Sequence, residues 1–396
     1  TIEKDGIAKY NYKTSQKSGN IVDGKFESYI FSADESKILL QKESESIYRH
    51  SFLGKFDVKD LKSNKVTPLN NGNYIQEPKF SPDGSKVAFI VDNNLFYQDL
   101  TSGKITQITN DGKKNSIING LGDWVYEEEF GHADYYQWNK AGDAIVFVKF
   151  DESKVPEIYI PIYGKSLYPT EMRYKYPKAG ETNSTVSANL YQLNSGKTTA
   201  LNIAGFENHY IPQIWQTNDA NEIVIATSNR HHSKVDLIKV DTKSGNLTKL
   251  FSETDNAWIE TDNLTLEFLD DNSFLWASER DGYRQLYWYD RSGKLKKQVA
   301  KGNWEITDYY GYNPKTKEAY IQTTEKGSLD KVVSKLNINS GKTTLISYPE
   351  GNNSASFSKT FNYFINTNST AGTPYKYVLK DASGKEIKEL QNNNEL

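Results

Sequence analysis

The chain has 396 residues, with 48 Lys or Arg against 51 Asp or Glu, a net charge of −3. That balance gives no electrostatic reason to expect nucleic acid or an anionic membrane as partner, and no run approaches the ~18 apolar residues of a membrane helix. The absence of cysteine excludes a disulfide scaffold, a zinc ribbon and a thiol nucleophile. Aromatic residues make up 13% of the chain although the whole hydrophobic share is only 36%. Short aromatic and β-branched patches favour strands, so the starting expectation is an all-β protein. Zero cysteines suits cytosol and periplasm alike, and Thr1 in place of Met leads us to expect that a leader or tag has been removed.

Along the chain one cassette recurs: a short strand, a Ser/Asn-Gly-Lys type of turn, and a Thr-rich strand. It reads KTSQKSGNIV at 13–22, DLKSNKVTPL at 60–69, DLTSGKITQI at 99–108, LNSGKTTALN at 193–202, DTKSGNLTKL at 241–250, DRSGKLKKQV at 290–299, NINSGKTTLI at 337–346 and KDASGKEIKE at 380–389. Glycine in such a turn supplies the positive φ of a tight hairpin. A second cassette, a polar turn leading into an apolar strand, precedes seven of the eight: 31–40, 80–90, 138–148, 216–226 and 269–278, with weaker echoes at 312–321 and 357–366. Two hairpins per repeat give four strands per repeat, which is a propeller blade. The turn positions step by about 40–50 residues, as blades do, except for the long step from Gly103 to Gly196. The expectation is therefore an eight-bladed β-propeller of four-stranded antiparallel blades. The first blade enters half complete, and one repeat array over 1–396 replaces the two to three domains that length alone suggests. A β-sandwich with similar turns is the alternative, but eight evenly spaced cassettes exceed what it needs.

The long step is read as one oversized fourth blade carrying two insertions. The first, GLGDWVYEEEFGHADYY at 120–136, holds the triplet Glu127-Glu128-Glu129. Three adjacent glutamates are commonly a solvated helix turn. Here Asp123 can cap a short helical clamp over 123–131, and Trp124, Val125 and Tyr126 can anchor it, so the acids would be held at a fixed point. Carboxylates so held repel one another unless a cation visits or a basic residue stands by. Arg49, in SIYRHSF at 46–52, is the candidate resident cation, the alternative being an ordinary surface arginine of a strand. The second insertion runs over 151–185 with Pro156, Pro161, Pro169 and Pro177 among five tyrosines. Proline argues against a central strand there, yet the tyrosines make it too apolar for a linker. We read a protruding arm for a partner, against the alternative of a self-packed loop.

Other chemistry is absent or weak. His231 and His232 lie in NRHHSK, read as an exposed turn rather than a metal site. There is no HExxH, Walker loop or GxGxxG, and no G-x-S-x-G nucleophile elbow; Gly164-Lys165-Ser166-Leu167-Tyr168 fails at its second glycine. Glu128 and Glu129 are sequence neighbours and cannot readily flank a sugar ring as glycosidase carboxylates do. No metal, no cofactor and no catalytic residue is expected in these 396 residues.

DWVYEEE (123–129), YRHSF (48–52), YPKAG (176–180) and SERDGYRQLYWY (278–289) resemble the dipeptidyl peptidase IV family, in the prolyl oligopeptidase class of serine peptidases, over nearly the whole chain. The resemblance implies an N-terminal eight-bladed propeller whose C-terminal α/β-hydrolase partner domain is absent from this chain, which would stop near the junction at LQNNNEL. It implies that Glu128 and Glu129 bind the α-ammonium of a peptide with a free N-terminus, that Arg49 lies near both and near the substrate carbonyl, and that the arm makes a homodimer. Release of N-terminal dipeptides, of the Xaa-Pro or Xaa-Ala kind, and a periplasmic or exported location follow from the same likeness. Around Trp258 (DNAWIETDN) the family's substrate-lining arginine and phenylalanine are not evident. A stand-alone propeller that captures amines or peptide N-termini without cleaving them is the alternative.

Overall fold

Alternation decides which segments pair. In Phe52–Asp60 the buried positions are Gly54, Phe56 and Val58, with Lys55, Asp57 and Lys59 between them pointing out, the period-2 signature of a strand with one face covered. In several blades the second strand instead has an apolar stretch covered on both faces, as in the VAFI of Lys86–Val91 and the FLWA of Phe274–Ser278. A computed structural model describes residues 1–11, 14, 16–206 and 209–395. Within them the strands form eight successive antiparallel blade sheets: the first has three strands, six have four in the up-and-down order of the chain, and the fourth has five because its first strand is split in two. The fold is the all-β eight-bladed propeller. The first blade is incomplete, although with three strands rather than the two the cassette count suggests.

The chain divides into two compact units, one with blades one to five and ending at Asn263, the other with blades six to eight from Leu264 onward. In the first, a continuous core runs through Trp138, Phe147, Phe150, Ile211 and Ile225. In the second, Leu275, Leu286, Ile321 and Leu336 are packed together and closed to solvent.

Seven of the eight Ser/Asn-Gly-Lys cassettes form the last hairpin of a blade, and their turn chemistry is visible. At 241–246 the Asp241 carboxylate accepts the backbone N–H groups of Lys243 and Ser244 at 2.9 and 2.8 Å, and Gly245 takes φ +76°. These hydrogen bonds, that from Ser244 first, hold the Asp241 carboxyl below the usual range, as an Asx turn does. The first copy differs. Lys13 and Ser15 of KTSQKSGNIV lie outside the described residues, and Gly19 sits inside the strand Lys17–Asp23, where the pairing with Gly6–Tyr10 slips register twice. An unusual φ of +123° there serves a bulge and not a turn.

Blade four carries both insertions. Its first strand is split: Ile117–Asn119 and Tyr136–Trp138 pair with the two ends of Ala144–Asp151, and residues 120–135 leave the sheet between them. Gly120 N–H donates to Val148 and Val148 N–H donates to Tyr135, so the excursion is tied back at its neck. The arm is a separate two-stranded ribbon, Glu157–Ile162 against Thr170–Lys175, with Pro161 opposite Glu171. Both strands are edges, which is why proline is tolerated.

Candidate functional site

The excursion of blade four holds the only α-helix among the described residues, α1 (Trp124–Glu129). The Asp123 carboxylate accepts the Tyr126 N–H at 3.0 Å, the expected N-cap, and its other oxygen accepts the Ser184 hydroxyl at 2.5 Å. Burial raises the Asp123 carboxyl above its usual range. Tyr126 is the anchor. It sits edge-on to Phe130, Tyr135 and Phe150 with centroids 4.6–4.9 Å away, and its hydroxyl accepts the Ile211 N–H of blade five at 2.9 Å.

Consecutive helix residues are ~100° apart around the axis, so the three glutamates of the triplet face three different surroundings. Glu127 turns inward and is 3% exposed; one of its oxygens accepts the backbone N–H groups of both His50 and Ser51, at 2.6 and 2.8 Å. Glu128 is half-buried and meets Arg49 in a two-pronged pair: Nε to Oε2 at 3.0 Å and Nη2 to Oε1 at 3.0 Å. That fork lowers the Glu128 carboxyl below its usual range and raises the Arg49 guanidinium. Glu129 points to solvent and pairs with neither Arg49 nor another cation among the described residues.

Arg49 itself stands on the hairpin of blade two, between Lys37–Ser46 and Phe52–Asp60, with its side chain 68% exposed. The structure thus brings Arg49 to Glu128, from blades two and four, and leaves Glu129 beside them open. Two carboxylates and one guanidinium leave one negative charge, which a single ammonium would match.

The arm reaches this place as well. Tyr48, next to Arg49, lies against Tyr174 with centroids 5.7 Å apart, and Trp124 lies 4.2 Å from Tyr176. Behind the helix is a cavity of about 560 Å³ whose walls include Tyr48, Ser51, Asp123, Glu127 and Glu152. Burial, and then the neighbouring Asp123, pushes the Glu152 carboxyl up to about 7. The Tyr48 hydroxyl is pushed up to about 12, first by burial and then by Glu152.

Several features escape a reading of the sequence. Among the described residues Glu127 has no charge partner, and its two donors are backbone amides, so no residue type marks them. Glu152 looks like one more acid at the start of the arm. The histidine pair needs correcting too: His231 is exposed, but His232 is buried, stacked on Trp258 at 4.1 Å and hydrogen-bonded through Nδ1 to the Thr261 hydroxyl at 2.9 Å. No group of three or more His, Asp or Glu side chains placed to hold a metal ion occurs among the described residues, and no helix there is long and apolar enough to cross a membrane.

The match to known proteins settles the family. Residues 32–375 match the dipeptidyl peptidase IV (DPP IV) N-terminal region. The chain belongs to the dipeptidyl peptidase IV N-terminal family. It is similar to dipeptidyl peptidase 4 of Trichophyton rubrum, 28% identical over 93% of this chain and 49% of that protein, and to the probable dipeptidyl peptidase 4 of Aspergillus flavus, 27% identical over 92% of this chain and 50% of that protein. A crystal structure of Porphyromonas gingivalis dipeptidyl peptidase 4 matches with a TM-score of 0.93 at 34% identity, covering 99% of this chain and 57% of that one. The chain spans about half the length of the curated relatives it matches. Within this family the chain is the N-terminal propeller region, and here it carries the acidic helix and the arm.

Proposed function

We propose that this propeller is the substrate-binding and gating part of a serine dipeptidyl aminopeptidase, in a polypeptide that continues into an α/β-hydrolase domain carrying the nucleophile. Glu128 and Glu129 hold the α-ammonium of a peptide, and Arg49 stands beside them where the first carbonyls of the substrate pass. The observation that carries the reading is the forked Arg49–Glu128 pair next to an unpaired Glu129 on a capped, anchored helix. Arg49 keeps Glu128 ionised while the site is empty, and the open carboxylate of Glu129 gives the ammonium its place. An amine fixed there sets a ruler: two extended residues span ~7 Å, so a nucleophile at that offset cuts after the second residue. Xaa-Pro or Xaa-Ala dipeptides are the products this reading carries over from the family. The arm, with Tyr163, Leu167 and Tyr168 more than three-quarters exposed at its tip, makes a homodimer in the same reading, and a periplasmic or exported location follows from the family likeness.

The test compares chromogenic dipeptidyl substrates with their N-acetylated twins on the full-length polypeptide. The native enzyme is expected to cleave only the free amine, and Glu128→Ala and Glu129→Ala each to lose most of that activity. Unchanged rates in both variants, or equal cleavage of the acetylated substrate by the native enzyme, overturns the reading.

A further inference from the structure

We infer that Glu127 is a positioning residue for Arg49: it holds the blade-two loop through its backbone, and by doing so fixes where the guanidinium meets Glu128. The inference rests on the reading of Arg49 and Glu128 given above and adds a role for the one glutamate of the triplet that faces away from the substrate.

The loop has few other contacts. Beyond the Ser46–Phe52 pair they are the Ile47 N–H to the Ser51 carbonyl at 2.9 Å and the ring of Tyr48 against Tyr174, while Arg49 and His50 are both exposed. An arginine on a loose loop would lose rotamer and backbone freedom on each encounter with substrate. Glu127 removes that freedom beforehand. Its Oε1 accepts two successive amides of the loop at 2.6 and 2.8 Å from a side chain that is 3% exposed. The helix that carries it is itself fixed by the Asp123 cap and the buried Tyr126.

Stability alone does not account for a carboxylate in this position. Burying one without a cation beside it is unfavourable, and Glu127 forms no ion pair among the described residues. Two charge-assisted amide bonds are what offset that cost, and their recipients are the two residues that follow Arg49. Glu127 and Glu128 therefore grip the same loop twice, one by its backbone and the other by its side chain. The first grip determines the geometry of the second.

The experiment is a double-mutant cycle in the full-length enzyme, with hydrogen exchange on the loop read alongside it. Glu127→Ala is expected to raise KM for a free-amine dipeptidyl substrate by about tenfold, since two amides lose their acceptor, with a smaller change in kcat. Glu127→Gln keeps an acceptor oxygen and is expected to stay within about threefold of the native enzyme. In an Arg49→Ala background, Glu127→Ala should cost less than about twofold more, because the residue it positions is gone. Amide protons of His50 and Ser51 should exchange faster in Glu127→Ala and stay protected in Glu127→Gln. Equal losses with and without Arg49, or unchanged protection in Glu127→Ala, overturns the inference. If the native enzyme fails to distinguish free from acetylated substrates, the proposed function fails, and the exchange measurement still decides whether Glu127 holds the loop.

Discussion

Tyr126 and Tyr135 offer a sharp test of how the helix is anchored, because the same deletion is expected to have opposite consequences a few ångströms apart. Both are buried in one aromatic cluster, with centroids 4.9 Å apart. The register of blade five slips between Tyr210 and Gln213, and Ile211, which is fully buried, turns its N–H to the Tyr126 hydroxyl at 2.9 Å. Tyr126→Phe leaves that N–H closed off from solvent without an acceptor, at a cost of about 1–3 kcal/mol. The Tyr135 hydroxyl has no hydrogen-bond partner among the described residues, so Tyr135→Phe removes a buried polar atom that gains nothing by being there, and the change should be neutral or slightly stabilising. A unit of roughly 260 residues unfolds with about 0.55 kcal/mol per degree of entropy at its midpoint. A 2 kcal/mol loss therefore lowers Tm by about 4 °C. Scanning calorimetry of the two variants against the native protein measures the difference. Equal shifts in both, or a Tyr126→Phe midpoint within about 1 °C of native, refutes the argument that the Ile211 bond is what the hydroxyl supplies.

Two further outcomes follow from burial and from backbone geometry. The Glu152 carboxyl is raised to about 7 by burial, so the folded state keeps a proton that the unfolded state releases near 4.5, and Glu152 withdraws stability as pH climbs through that window. Relative to Glu152→Gln, the native protein should lose up to roughly 3 kcal/mol between pH 5 and 8. The half-buried His132 and His209 and the buried His232 titrate in the opposite sense and cancel in this comparison, so a pH-independent difference between the two proteins refutes the assignment. Gly103 and Gly341 occupy equivalent turns at φ +76° and +74°, but a Cβ at Gly341 would stand 2.7 Å from the Val299 carbonyl oxygen, whereas at Gly103 it meets nothing within 4 Å. Both alanine variants bear the ~1–2 kcal/mol of the left-handed backbone; Gly341→Ala should lose at least about 1 kcal/mol more in chemical denaturation, and equal losses would show that the Val299 carbonyl simply gives way.

Much of the fold is legible in the sequence because propeller hairpins are local. The Asp241–Ser244–Gly245 turn and its relatives are closed by groups a few residues away, and they recur in seven of the eight blades, so spacing goes far towards counting the blades. The reading slips where a local rule meets a non-local constraint. Gly19 has the same neighbours as the turn glycines, yet the pairing of Lys17–Asp23 with Gly6–Tyr10 places it in a bulge, and only the partner strand records that. NRHHSK is likewise a turn by composition, but Trp258, 26 residues on, closes over His232, and no short pattern predicts that cover.

The site divides along the same line. Arg49 is legible only as a candidate cation for the whole triplet, and Glu128 is singled out by the family resemblance; that the two meet is seen only in the fold. Glu129 is legible as part of an acidic run, although its exposure is set by the helical turn of ~100° per residue and not by its identity. Glu127 is different in kind. Its partners lie 77 and 76 residues away and are amide groups that every residue except proline carries, so the sequence at 50–51 would permit the same bond with almost any side chains. A carboxylate that binds backbone leaves a mark only at its own end of the contact, as an acid buried where a hydrophobic residue would be cheaper. The triplet therefore carries one glutamate whose contacts are visible only once the loop is seen wrapped around it, and which, on the inference above, steadies Glu128 through the arginine that pairs with it.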